Sequence, residues 1–497
     1  MGIEIDRSEF SPADYAAFRA RLEDNLQALQ QLLERPGFGQ GPGSLGAELE
    51  LYIVDAAGRP LHANHEILER ADDPQLTLEL NRYNLEYNLT PYALHARPLR
   101  ATERELLHKL ERGRAAAAGL GGRLVSIGIL PTLRPSDFGA HCITDRKRYH
   151  ALVAQLLRRR GGQFRIDIDG LDPLRLEMAD ITLEGANTSF QVHYRVAPAH
   201  FADTFNAMQL ATPLALAVAA NSPTLFGHSL WHETRVPLFK QSIDTRRGDR
   251  YGWRAPARVN FGQGWVRRDA LELFREVVRI YPPLLPLCAA RPPAREAARA
   301  DGLGAAPPLA ELRLHQSTVW LWNRPVYDNV DGGHLRIEMR SLPAGPTARD
   351  MVANAALLIG LAEGLRPALE SLLPALPFNL AEYNFYRAAQ HGLNARLIWP
   401  TPRQSGYREQ PVCAIIRDLL PLAADGLARI GIDAAEAQCY LDVIERRLQR
   451  RASGAIWQQQ VLSRLRRDRP LQHALHELLE LYMMHSARNV PVAEWPV

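Results

Sequence analysis

The chain has 497 residues, 46% hydrophobic and 23% charged, the range of an ordinary folded protein and far from a disordered or fibrous one. Its 59 basic and 55 acidic residues leave a net charge of +4, too balanced to argue for nucleic acid but suited to a small anionic ligand. Four scattered cysteines, Cys142, Cys288, Cys413 and Cys439, form no C-x-x-C and argue against a disulfide framework or a zinc ribbon.

A reducing, cytoplasmic setting fits that cysteine usage. The first residues, MGIEIDRSEF, are acidic where a secretory signal would be basic and then apolar. The longest apolar run, "LALAVAA" at 214–220, is far shorter than the ~18 residues a membrane span needs, so no membrane is expected.

The first element is a helix opening at "SPADYAAF", with Ser11 as the cap, Pro12 as the first helical residue and Asp14 as the box partner. Apolar residues recur at helical spacing to about Leu33, and a glycine-rich loop, "RPGFGQGPGS" (35–44), follows. No G-K-[ST] follows it and a strand comes next, so it is not a phosphate loop. Helices are expected at 101–118, 145–160 and 201–220, then at 347–371, 411–429, 434–451 and 470–486. The Ala/Pro/Arg-rich stretch 289–308 reads as a surface insertion. These elements divide into an N-terminal helix and loop (1–44), a catalytic α+β part (45–375) and a mostly helical C-terminal part (376–497) of the same domain. The basic run "ERRLQRRASGAIWQQQVLSRLRRDR" is either an anion site or a solvated helical face.

Four strand-like segments share one pattern. In "GAELELYIVD" (46–55), Ala47, Leu49, Leu51 and Ile53 alternate with Glu48, Glu50 and Tyr52. "LNRYNLEYNLT" (80–90) sets Tyr83, Leu85, Tyr87 and Leu89 against Arg82, Asn84, Glu86 and Asn88. "TSFQVHYRV" (188–196) opposes Phe190, Val192, Tyr194 and Val196 to Ser189, Gln191, His193 and Arg195. "HLRIEMRSL" (334–342) opposes Leu335, Ile337 and Met339 to His334, Arg336, Glu338 and Arg340. These polar faces hold Glu, Arg, His, Asn and Gln and no Lys, whereas a merely wet antiparallel face mixes polar residues freely. Carboxylates are hard ligands for divalent cations, and guanidinium is a fork for phosphate. If the four strands share a curved antiparallel sheet, Glu48, Glu50, Glu86 and Glu338 need cations or raised pKa values. Mg²⁺ beside arginines points to a nucleoside triphosphate.

The segments "GAELELYIVD", "NLEYNLTP", "EGANTSFQVHYRV", "LAVAANSPTLFG…WHETRVPLF", "LRIEMRSLPAGPT" and "RASGAIWQQQ" resemble, in order and spacing, the glutamate–cysteine ligases and the related carboxylate–amine ligases. The resemblance implies a glutamine-synthetase-like funnel, a curved antiparallel sheet backed by helices. It implies ATP as cosubstrate, activation of the glutamate γ-carboxylate as an acyl phosphate, and attack by an amine, cysteine first among them. On that reading Glu48, Glu50, Glu86 and Glu338 hold Mg²⁺. Arg340 neutralises the transferring phosphoryl group and Arg235 binds a phosphate or a substrate carboxylate. Gln191, His193 and Trp457 lie near the nucleotide. Two departures stand out: Leu49 where many relatives carry a further glutamate, and Gln191 where relatives often carry histidine. A different amine or acid, or an idle nucleotide- or glutamate-binding relative, are the alternative readings.

Overall fold

The computed structural model describes residue 7 and residues 9–246, 255–290, 306–400 and 408–497. Most of the expected insertion 289–308 lies outside the described residues. Helix α1 (Pro12–Glu34) begins as its first residues dictate: Asp14 N–H donates to Ser11 Oγ at 3.2 Å and Ser11 N–H to the Asp14 carboxylate at 2.7 Å. Phe18, Leu22, Leu26, Leu29 and Leu32 form its buried stripe.

The central sheet is built from β1 (Ser44–Val54), β2 (Leu76–Leu78), β3 (Asn84–Asn88), β4 (Tyr92–Ala93) and β5 (Arg123–Val125), then β8 (Phe190–Arg195), β9 (Asn323–Asp328) and β10 (His334–Met339). A separate hairpin, β6 (Phe164–Ile168) with β7 (Leu174–Met178), lies between them in the chain. The eight-stranded sheet runs β9-β10-β8-β1-β3-β2, with β4 and β5 added to the two ends of β1. Every pairing in it is antiparallel. The fold class is α+β, an open antiparallel sheet backed by helices.

Alternation decides which way each side chain points. On the packed side Leu49, Leu85 and Ile337 are fully buried. That side is covered by two nearly all-buried helices, α4 (Phe201–Ala219) and α5 (Ala348–Leu365), once α2 (Pro98–Ala118) and α3 (Lys147–Arg160) have been threaded between the strands. Tyr194 on β8 reaches through to α5 and donates to Glu363 at 2.9 Å. Helix α6 (Val412–Arg429) crosses α5 at glycines: a Cβ on Gly426 would lie 2.0 Å from the Gly360 carbonyl. Only glycine permits so close an approach. Residues Ala348–Ala375 are long and apolar enough to cross a membrane by composition, yet 83% of that window is buried inside the protein. It is a core helix.

The basic run of the sequence analysis belongs partly to α7 (Ala434–Arg450). Arg447 there is neither solvated nor an anion receptor, because it is 1% exposed and paired with Asp350 at 2.6 Å.

Candidate functional site

Register aligns the polar faces into one surface. Glu50 is paired with Glu86, Glu48 with Asn88 and Gln191, and His193 with Gly46 and Glu338. Arg324 on β9 stands opposite Glu338. Over this surface, α3 and the 3₁₀ turn Thr182–Ala186 close a cleft of about 480 Å³. Its lining includes Glu48, Glu50, Glu86, Gln191, Glu338 and Arg340, six of the residues expected there. His193 borders it, with Nε2 3.1 Å from Glu48 Oε1.

The carboxylates are not equivalent. Glu338 is 1% exposed and lies between two guanidiniums, accepting from Arg324 Nη2 at 2.9 Å and from Arg340 Nη1 at 3.0 Å. Burial alone would raise its pKa; the two arginines override that and hold it well below the usual carboxylate range. Glu50 accepts from the Ser189 N–H at 2.7 Å, from Ser189 Oγ at 2.9 Å and from Gln191 Nε2 at 2.9 Å. Desolvation still pushes Glu50 up. Among the described residues Glu86 accepts from Asn88 at 2.8 Å and from Thr77 at 3.4 Å, and desolvation beside the charges of Glu48 and Glu50 pushes it up to about 8.

Gln191 explains one departure seen in the sequence. Its Oε1 accepts from Arg340 while its Nε2 donates to Glu50. An amide donates and accepts at once, and these partners fix its orientation. Leu49, the other departure, is fully buried on the opposite face and takes nothing from the acidic set.

Two of the expected residues lie outside the cleft lining. Arg235 does not line the cleft: it is 2% exposed, and its guanidinium is spent on Glu233 at 2.6 Å and on the Ser341 carbonyl at 2.7 Å. Trp457 is also a core residue, 2% exposed, donating to the Pro496 carbonyl at 2.8 Å and packed edge-on to Trp495 at 5.0 Å.

Other residues went unnoticed in the sequence. Glu79, just past β2, and Glu184, in the 3₁₀ turn, both line the cleft. Burial and neighbouring glutamates push Glu79 well above the ordinary range and Glu184 up to about 7. Arg324 completes the clamp on Glu338 from β9, a strand outside the four segments read from the sequence. Leu152 and Leu156 of α3, with Ile181, Ile243 and Trp320, form an apolar wall.

A cleft in which Glu50, Glu79, Glu86 and Glu184 are pushed upward while Glu338 is clamped by arginine is built to meet cations. Among the described residues, Glu48, His193 and Glu338 each present a candidate ligand atom, all within 4.8 Å of one another. Oxygen donors suit Mg²⁺, and the carboxylates fit it.

A profile of glutamate–cysteine ligase family 2 matches residues 44–480, which spans β1, the cleft and nearly all the C-terminal helices. The chain belongs to glutamate–cysteine ligase family 2. Membership carries the coarse activity, ligation of a carboxylate to an amine. No curated protein sequence matches the chain. Among solved structures, the glutamate–cysteine ligase of Francisella tularensis in complex with AMP is similar over 92% of this chain and 90% of its own, at 10% identity and a TM-score of 0.51. At that identity the likeness speaks for the fold. A bifunctional glutathione synthetase from Pasteurella multocida aligns with 94% of this chain and 55% of its own, at 11% identity and a TM-score of 0.49.

Proposed function

We propose that this family member is an ATP- and Mg²⁺-dependent ligase that joins the γ-carboxylate of glutamate to an amine, cysteine being the first candidate. The observation that carries the reading is the clamp on Glu338 by Arg324 and Arg340, facing Glu48, Glu50 and Glu86 across one cleft. Phosphoryl transfer asks a protein for positioning and charge stabilisation and for no protein nucleophile. Among the described residues, the cleft lining contains no cysteine, and its one serine, Ser317, donates to the Leu314 carbonyl at 2.8 Å.

In this reading Glu48, Glu50, Glu86 and Glu338 hold Mg²⁺, which when bound supplies charge neutralisation on the nucleotide phosphates. Arg340, itself oriented by Glu338 and Gln191, binds the transferring phosphoryl oxygens. Gln191 on β8 bridges Arg340 to Glu50 on the neighbouring β1. His193 approaches the same oxygens through Nε2. The apolar wall of Leu152, Leu156 and Trp320 excludes water, which protects an acyl phosphate from hydrolysis. Cytoplasmic glutathione biosynthesis is the setting this activity suits.

The test is ADP release by purified protein with Mg²⁺ and ATP, read with and without glutamate and across a panel of amines. Release that needs both glutamate and cysteine supports the full reading. Release with another amine keeps the ligase and replaces the acceptor. No amine-dependent release with any amine or acid pair sinks the enzyme reading.

A further inference from the structure

Nucleotide and acceptor amine meet surfaces of different kinds on this sheet. Two residues along from the His193–Glu338 pair, Arg195 of β8 stands opposite Arg336 of β10, and neither lines the cleft. Such a basic strip suits a polyanionic nucleotide. The cleft itself is closed by α3, whose Tyr149 donates to the Leu78 carbonyl of β2 at 2.8 Å. Arg148, Leu152 and Leu156, four residues apart along α3, all line the cleft, so one stripe of the helix looks into it.

Arg148 is half-buried and, among the described residues, has no carboxylate partner. Leu152 and Trp320 are half-buried too and keep apolar surface open, while Leu156, Ile181 and Ile243 are buried. Trp320 is held edge-on to Phe239, ring centroids 6.1 Å apart. Glu79, between Leu78 and Leu80, and Glu184, three residues after Ile181, set carboxylates among these apolar groups. A guanidinium for a carboxylate, carboxylates for an ammonium and apolar surface for a side chain together describe an α-amino acid. One step from Arg148 to Leu152 rises about 6 Å, close to the reach from the carboxylate of leucine or phenylalanine to its side-chain tip. The sulfur of cysteine stops short of that, and the lining holds no cysteine, methionine or histidine to meet it.

We propose that the acceptor is an α-amino acid with a branched aliphatic or aromatic side chain, its carboxylate on Arg148 and its side chain on Leu152 and Trp320. The inference rests on the ligase reading and places such an amino acid ahead of cysteine. In the ligation the lone pair of the acceptor nitrogen forms the amide C–N bond. The acyl C–O bond breaks, and phosphate leaves with that electron pair. Of the two protons the ammonium gives up, the phosphate takes one and solvent the other.

The test offers full-length protein Mg²⁺, ATP, glutamate and one acceptor at a time, reads phosphate release as kcat/KM, and confirms each product by its mass. Leucine or phenylalanine should exceed cysteine and serine by at least about tenfold, the scale of a methylene in an apolar pocket. Leu152→Gln, which keeps a helix former at that position, should lower this preference about tenfold. Arg148→Met should lower kcat/KM for leucine about tenfold more than for isoamylamine, the same side chain without the carboxylate. An equal loss for both overturns the Arg148 contact. Hydroxylamine, too small to need the apolar wall, reports acyl-phosphate formation as the hydroxamate. Hydroxamate formation together with a preference for cysteine over leucine and phenylalanine overturns the proposed acceptor and leaves the ligase reading standing. No hydroxamate and no amine-dependent phosphate release sinks the ligase reading, and this acceptor with it.

Discussion

Glu338 and Glu86 show how little residue type says about charge state. Both are glutamates on one sheet face, yet one is clamped by Arg324 and Arg340 and the other, among the described residues, has neutral amide and hydroxyl donors. Glu338→Gln removes the anion between two half-buried guanidiniums, which then repel each other and lose their orientation. We expect amine-dependent ADP release to fall by more than about a hundredfold, the scale of losing a preorganised electrostatic contact. Mg·ADP affinity, measured by calorimetry, should weaken with it; unchanged affinity would falsify the placement of Glu338 in the nucleotide site. Glu86 and Glu184 lead to a pH effect. Their folded-state pKa values are raised, to about 8 and about 7, so the native state binds more protons than the unfolded chain over that range. Stability of the metal-free protein should therefore decline as pH rises from about 4.5 through about 8. With saturating Mg²⁺ the decline should flatten, because the cation stabilises the charged carboxylates. Melting temperatures at pH 6 and pH 8.5, with chelator and with Mg²⁺, check both signs.

At the scale of elements, legibility followed periodicity. Period-two alternation in β1, β3, β8 and β10 told which side chains share a face, because a strand cannot turn one residue without turning all. Capping chemistry placed α1, and it did so through two side chains that the structure finds bonded as expected. Glu79 and Glu184 stayed hidden for the converse reason: a three-residue strand and a 3₁₀ turn have too few residues to show a period. The burial of Arg235 was not legible because charge in a sequence does not reveal burial, and its partner Glu233 stood two positions away in the same motif. Helix α5 gives a prediction of its own. Asp350 in its first turn pairs with Arg447 of α7, accepts from Thr347 Oγ1 at 2.8 Å and from the Val492 N–H at 3.0 Å. Asp350→Ala leaves a buried guanidinium uncompensated and should cost about 3–5 kcal/mol in denaturant unfolding. Folded variant should keep near-normal KM for ATP, since none of these groups lines the cleft.

For the whole molecule, the decisive fact is how the cores are shared. One apolar cluster includes Phe18 of α1, Leu49 of β1, Leu357 of α5 and Leu448 of α7; a second joins Tyr52 and Ile127 to Trp457 and Trp495. Residues after 376 thus pack with residues from the sheet in both clusters. We expect one cooperative calorimetric transition, shifted upward by Mg·ADP as a single peak. Two separable peaks, with only one moved by nucleotide, would show that the C-terminal helices form a unit of their own.

The strand order has a consequence for how the protein is made. β8 joins β1 to β10, so the two halves of the acidic cleft meet only when a strand from the middle of the chain has entered between them. A ribosome delivers Glu48, Glu50 and Glu86 early, and Glu338 with its arginines much later. Until then the early acids share a sheet edge with no guanidinium to face, and like charges there resist closure. We therefore expect the charged face to close only once β10 has arrived. The clamp on Glu338, the phosphate site of the proposed function, would serve first as the counter-charge that lets the sheet close.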